Sequence, residues 1–232
     1  MRQALRVAGT VVDAWRAVRG GRAAIAERQR RRLRDLVTFA RAHSPYYRSL
    51  YEGLPRDVDD VAALPVTSKR ALMARFDDWA TDRRVTEAAV RAFVARAERI
   101  GDWFLGQYTI VTTSGTSGYQ GLFLLDRGSF AVAAAMGARM LGSWLGVREI
   151  LRVLARGRRL AMVNAMGGHF ASAVAATRLL RRSTGRVAVF PADMPVPQIV
   201  EGLNAFRPAL LAPYASLGAV LAREQAAGRL HV

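Results

Sequence analysis

The feature that most constrains the fold is the alternation of short apolar runs with helical segments after residue 158. The apolar runs are predicted strands, at residues 160–164, 187–190 and 209–212. A segment with helical spacing follows each run, at residues 170–182, 195–206 and 214–227. Strand–helix alternation of this kind predicts an α/β fold with a largely parallel, helix-flanked sheet.

The residues before this region predict a helical N-terminal extension, which we assign to residues 1–100, ahead of an α/β part at residues 101–232. Residues 1–43 have the spacing of one long helix. It ends at Ser44-Pro45, because a residue before proline is disfavoured in the α region. Further on, residues 129–145 are rich in small and apolar side chains, which predicts a largely buried helix.

A loop of glycines and hydroxyl side chains lies between two more predicted strands, at residues 107–111 and 122–125. Its members are Thr112, Thr113, Ser114, Gly115, Thr116, Ser117 and Gly118. Glycines let backbone N–H groups turn toward a ligand, and hydroxyls add donors, so the loop suits a polyphosphate. The alternative is a turn that only joins the two strands of a hairpin. Such a turn needs just one or two turn-forming residues, whereas this loop has many more glycines and hydroxyl side chains. A Walker A loop is excluded, because the only lysine, Lys69, lies far from the loop in sequence.

The loop resembles the phosphate-binding signature of the AMP-forming adenylate-forming enzymes, the acyl-CoA ligase and synthetase superfamily. Flanking motifs are similar to the phenylacetate-CoA ligase branch, which includes capsule-biosynthesis relatives; they lie at residues 42–48, 64–69, 206–216 and 228–230. The similarity covers residues 33–232. It implies the N-terminal portion of an adenylate-forming fold, with an incomplete AMP-binding domain that carries the loop.

The resemblance implies ATP-dependent activation of a small-molecule carboxylate. The carboxylate attacks the α-phosphate, pyrophosphate leaves, and the acyl-adenylate passes to CoA or another acceptor. The loop would hold the β- and γ-phosphates, with Mg²⁺ sharing their charge. The chain departs from the family at Tyr119-Gln120-Gly121, where the family usually has proline and lysine.

A second candidate site is the turn that contains Gly168 and His169, between a predicted strand and a helix. Ligands often bind at such handovers in α/β sheets. In the resembled family this place borders the acyl pocket, which makes Gly168 and His169 candidate substrate-pocket residues. The alternative is that His169 caps the following helix. No residue is assigned a catalytic role, and no metal site is predicted, because His43 and His231 lack companions at ligand spacing.

The resemblance also implies that the chain is truncated. In the family, later segments supply the adenine pocket, the acidic residue for the ribose and a mobile domain with the catalytic lysine. We therefore expect a non-catalytic nucleotide-binding remnant, or half of a split enzyme whose second polypeptide supplies the remaining residues.

Arginine dominates the charge of the chain, with 35 Lys and Arg against 18 Asp and Glu, a net charge of +17. A rival function is the binding of nucleic acid or an anionic membrane. No nucleic-acid-binding motif is present, so no specific nucleic-acid partner is expected, and a solvated charged face is the plainer interpretation. No signal peptide or transmembrane-length apolar run is found, which favours a cytoplasmic location.

Overall fold

The computed structural model describes residues 2–115, 119–183 and 185–232. The helices are α1 (Arg2–Arg19), α2 (Gly21–His43), α3 (Pro45–Leu50), α4 (Lys69–Ala74), α5 (Phe76–Trp79), α6 (Glu87–Val94), α7 (Arg127–Trp144), α8 (Val147–Ala155), α9 (Ala171–Arg182), α10 (Val196–Phe206) and α11 (Ala215–Ala226). The strands are β1 (Thr109–Thr112), β2 (Leu122–Leu125), β3 (Leu160–Asn164), β4 (Val187–Pro191) and β5 (Leu210–Pro213). The chain forms two compact units, Met1–Ala95 with Thr113–Gly137, and Arg96–Thr112 with Ala138–Val232.

The second unit is built on a parallel sheet of three strands in the order β4-β3-β5. Leu160 at the start of β3 is in register with Val187 of β4 and with Leu210 of β5. Helix α9 connects β3 to β4, and α10 connects β4 to β5, since parallel strands require crossover connections. The predicted α/β class, with a helical N-terminal region and a parallel sheet, is confirmed.

The core of the second unit forms around the central strand. Ala161 and Val163 of β3 are fully buried, as are Ile199 and Leu203 of α10 and Leu221 of α11. Fully burying a valine, leucine or isoleucine stabilises a fold by about 1.5–3 kcal/mol. This cluster therefore holds β3 in a fixed position, and with it the loop that follows its carboxyl end.

In the first unit the predicted helical character of residues 1–43 is confirmed over the described residues, but the helix is not continuous, because it breaks into α1 and α2. Gly21 adopts a left-handed conformation with φ +74, which glycine tolerates and which ends a regular helix. Asp13 on α1 then pairs with Arg28 and, at 3.0 Å, with Arg32 on α2. Part of the positive charge of α2 is thus neutralised within the unit.

Ser44 ends α2, as the sequence predicts, and it is also the N-cap residue of α3, which was not predicted. Its Oγ accepts a hydrogen bond from the backbone N–H of Tyr47 at 3.3 Å and donates one to the carbonyl of Asp78 at 3.0 Å. Pro45 occupies the first turn of α3, where a missing N–H costs nothing. These bonds fix the turn between α2 and α3.

The region after β2 differs from its prediction. The predicted helix at residues 129–145 forms as α7, but its predicted burial is wrong, because Ala131 and Ala135 are the only buried residues among the described side chains of α7. Helix α8 was not predicted, and none of its residues is buried. Apolar composition does not reveal which neighbour, if any, covers a helix. Over the described residues no single helix is long and apolar enough to cross a membrane, and α7 and α8 pass that test only as a pair.

Candidate functional site

The predicted phosphate loop begins where β1 ends. Thr112, the last residue of β1, is 7% exposed. Its backbone N–H donates to the carbonyl of His169, with 2.7 Å between nitrogen and oxygen. This hydrogen bond joins one residue of the predicted phosphate loop to one residue of the second candidate site. Both residues belong to the second unit.

Thr113 closes the loop through two hydrogen bonds to Gly121. Its backbone N–H donates to the carbonyl of Gly121 at 3.1 Å. Its Oγ1 accepts from the backbone N–H of Gly121 at 2.8 Å. Gly115 turns the chain with φ +75, and Ser114 is exposed. Thr116, Ser117 and Gly118, also predicted to hold phosphate, lie outside the described residues.

Two cationic side chains from the start of α4 lie beside the end of this loop. The Cδ of Lys69 lies 3.1 Å from where a Cβ on Gly121 would stand. The guanidinium carbon of Arg70 lies 5.4 Å from the ring centroid of Tyr119. Sequence reasoning missed both residues, because they precede the loop by about 50 positions in the chain. The one signal was indirect: residues 119–121 carry no cationic side chain, where the resembled family usually has a lysine.

Helices α4 and α5 continue this contact along β2. The Sδ of Met73 on α4 accepts a hydrogen bond from the backbone N–H of Leu122 at 3.3 Å. Trp79 of α5 meets the ring of Phe123 edge-on, with 5.8 Å between centroids. The start of α4 is capped by Ser68, whose Oγ accepts from a backbone N–H at 3.2 Å. These contacts explain why the segment Thr113–Gly137 packs with the N-terminal helices.

The second predicted site lies at the carboxyl end of β3. The chain leaves β3 for β4 on one side and later returns to β5 on the other. Ligands of open α/β sheets bind at such a switch in strand order. Asn164, the last residue of β3, is 4% exposed, and its Nδ2 has no hydrogen-bond partner among the described residues. A buried donor without a partner is costly, so this position suits a polar ligand group.

The turn after β3 contains two adjacent glycines in the left-handed conformation. Gly167 has φ +84 and Gly168 has φ +72. Helix α9 follows, with Phe170 as its N-cap residue and no side-chain hydrogen bond to the helix start. The first backbone N–H groups of a helix carry partial positive charge, which favours a negative ligand group nearby. On the same edge, the hydroxyl oxygens of Ser172 and Tyr214 lie 3.2 Å apart.

The side chain of His169 points into the second unit and does not cap α9. The ring is 2% exposed and makes a hydrogen bond with the backbone of Arg96. Burial lowers the pKa of His169, while the Arg96 bond and the charge of Asp102 act in the opposite direction. The net effect favours a neutral imidazole near neutral pH.

The fold and these two loops define an α/β protein with a glycine- and hydroxyl-rich loop that helices of the N-terminal region support. Comparison of the chain with protein-family models, with curated proteins and with solved structures gives no match. The functional assignment therefore depends on the chemistry of the named residues.

Proposed function

We propose that residues 112–121 bind the phosphates of ATP, and that the protein contributes to the activation of a small-molecule carboxylate as an acyl-adenylate, either alone or with a second polypeptide. In this proposal it is a phenylacetate-CoA ligase-like member of the AMP-forming superfamily. The observation that carries the proposal is the closed loop of glycines and hydroxyls, with Thr113 bonded twice to Gly121 and Lys69 packed against that glycine.

The loop and its neighbours offer the groups that a polyphosphate needs. Backbone N–H groups and hydroxyls can donate to phosphate oxygens, and Lys69 and Arg70 balance the negative charge. Each hydrogen bond to a charged group contributes about 1.5–3 kcal/mol, so a few of them hold a nucleotide. The described residues contain no group of three or more metal-ligating side chains. Mg²⁺ would therefore enter with ATP, bound to phosphate oxygens.

The proposed reaction has two displacement steps. A carboxylate oxygen forms a bond to the α-phosphorus, the bond from that phosphorus to the bridging oxygen breaks, and pyrophosphate leaves. The thiol of CoA, or another acceptor, then attacks the acyl carbon and AMP leaves. The loop contributes to the first step, because donors aimed at the departing phosphates stabilise the charge that develops on them.

The turn with Gly168 and His169 has the separate role of bordering the acyl group. The neutral, buried ring of His169 would present an apolar surface, and the Nδ2 of Asn164 would supply a hydrogen-bond donor. Both residues are buried in the second unit, which limits the freedom of their side chains.

Calorimetry with ATP·Mg²⁺ and with pyrophosphate tests the binding step. We expect binding that weakens by about tenfold in Ser114→Ala, consistent with the loss of one hydrogen bond to a charged ligand. Ser49→Ala, which removes an exposed hydroxyl of α3, is the matched control and should bind as the parent protein does. Equal affinity in all three proteins would overturn the phosphate role.

Carboxylate-dependent exchange between ATP and pyrophosphate tests the chemistry. Exchange supports adenylate formation, whereas nucleotide binding without exchange supports the non-catalytic nucleotide binder. Binding that is insensitive to Ser114→Ala and falls steeply with salt would instead indicate general polyanion attraction by the arginines.

A further inference from the structure

Helix α8 exposes an apolar stripe. Val147, Ile150, Leu151 and Leu154 recur at positions i, i+3, i+4 and i+7, which places them within an arc of about 100°. Their exposed fractions run from 44% for Ile150 to 74% for Val147. No residue of α8 is buried. Large apolar side chains grouped in this way on a protein surface mark an interaction site.

The end of α7 adds more exposed apolar side chains directly before α8. Met140 is 47% exposed, Leu141 is 41% exposed and Trp144 is 69% exposed. Tryptophan is enriched where a membrane meets water, because its ring is apolar and its N–H is a donor. The composition of this segment therefore resembles that of an interfacial anchor.

The opposite side of α8 is cationic. Arg148, Arg152 and Arg156 follow one another at spacing four and are exposed. None of the ion pairs in the described part of the chain involves these three side chains. From Arg139 to Arg159 there are six arginines and one glutamate. The segment thus combines an apolar stripe with a strong positive charge.

We propose that α8 binds the surface of an anionic membrane. Its apolar stripe would face the acyl chains, and its arginines would face the lipid phosphates. Charge selects this occupant. A second copy of the chain would bring the same arginines together, and like charges oppose association, whereas lipid phosphates are complementary. The inference does not depend on nucleotide binding.

Co-sedimentation of the full chain with vesicles tests the stripe. We expect binding to phosphatidylcholine vesicles that contain phosphatidylglycerol, and little binding to phosphatidylcholine alone. Leu151→Glu should weaken binding by about tenfold or more, because it removes an inserted apolar side chain and adds a negative charge. Val66→Glu is the matched control, since Val66 is 97% exposed and lies outside α8. It should bind nearly as the parent protein does.

A second pair of variants tests the arginines. Arg148→Gln with Arg152→Gln should weaken binding by about 25-fold, since each arginine close to an anionic surface is worth about a factor of five. Arg22→Gln with Arg31→Gln removes the same net charge from exposed positions of α2 and should lose much less. Circular dichroism shows whether each variant keeps its helices. Trp144 gives an independent signal, a blue shift of fluorescence on anionic vesicles that disappears in Trp144→Phe.

Three results would overturn the proposal. One is the absence of binding to anionic vesicles by the folded protein. The second is an equal loss in the two double-arginine variants, which would assign the attraction to the overall charge. The third is a Leu151→Glu variant that dissociates an oligomer, or releases a bound protein partner, while vesicle binding stays unchanged.

Discussion

The backbone N–H of Thr112 donates to the carbonyl of His169 across 2.7 Å, which joins the end of β1 to the turn before α9. Both residues are buried, at 7% and 2% exposure. Since this bond uses backbone atoms, it survives changes to either side chain. Substitutions at His169 therefore test its ring and leave the junction in place.

His169→Gln should flatten the pH dependence of stability. Burial lowers the pKa of His169 below its ordinary value of 6.5. As the pH falls, this histidine therefore takes up a proton at a higher pH in the unfolded chain than in the native protein. The contribution of the neutral ring is complete above the unfolded pKa and is lost as the pH falls through the native pKa. Urea unfolding from about pH 7.5 to about pH 5.5 should show a steeper loss for the parent protein.

His43→Gln is the control for that series, because His43 is exposed at the end of α2. It should keep the steep pH dependence of the parent protein. If His169→Gln has the same slope as His43→Gln, the buried ring is not the source of the effect.

Thr113→Val should open the loop while keeping the shape of the side chain. The buried N–H of Gly121 would lose the Oγ1 acceptor at 2.8 Å. An unsatisfied buried donor costs about 1–3 kcal/mol, which we expect as a loss in the free energy of unfolding. Calorimetry should also show weaker pyrophosphate binding. Thr38→Val, at an exposed position of α2, should change neither quantity.

Lys69→Ala should weaken pyrophosphate binding by about tenfold or more, as expected for the loss of a charged donor. Lys69→Arg keeps the positive charge beside Gly121 and should lose less. Titration at low and high salt separates a local contact from general attraction, because screening acts mainly on distant exposed charges. If Arg22→Ala, far away on α2 in sequence, causes the same loss as Lys69→Ala, the local role is wrong.

Gly121→Ala should destabilise the first unit. The added Cβ would stand 2.6 Å from the ring of Phe123 and 3.1 Å from Lys69, and the Phe123 ring is itself packed against Trp79. Overpacking of this kind costs about 1–3 kcal/mol. Thermal unfolding of Gly142→Ala is the control. Its Cβ meets nothing within 4 Å on α7, so it should raise stability by about 0.5–1 kcal/mol.

The sequence alone determined most of the second unit. The β3 segment at residues 160–164 matches its prediction, and the ends of α9, α10 and α11 differ from theirs by a residue or so. Local signals suffice there, because short apolar runs, helical spacing and Pro or Gly at the ends all act within a few neighbouring residues. The end of α2 at Ser44-Pro45 followed from the same local rules, as did the position of the loop after β1.

Only the tertiary structure decided which residues meet. Lys69 and Gly121 are far apart in sequence, as are Thr112 and His169, and no periodicity connects either pair. The exposure of α8 and the burial of the His169 ring were equally beyond local rules. Helical spacing shows that a helix has an apolar side, but the position of the packed neighbours determines whether that side is covered. That position depends on how the whole chain folds, since a side chain is buried only by residues that long-range contacts bring to it.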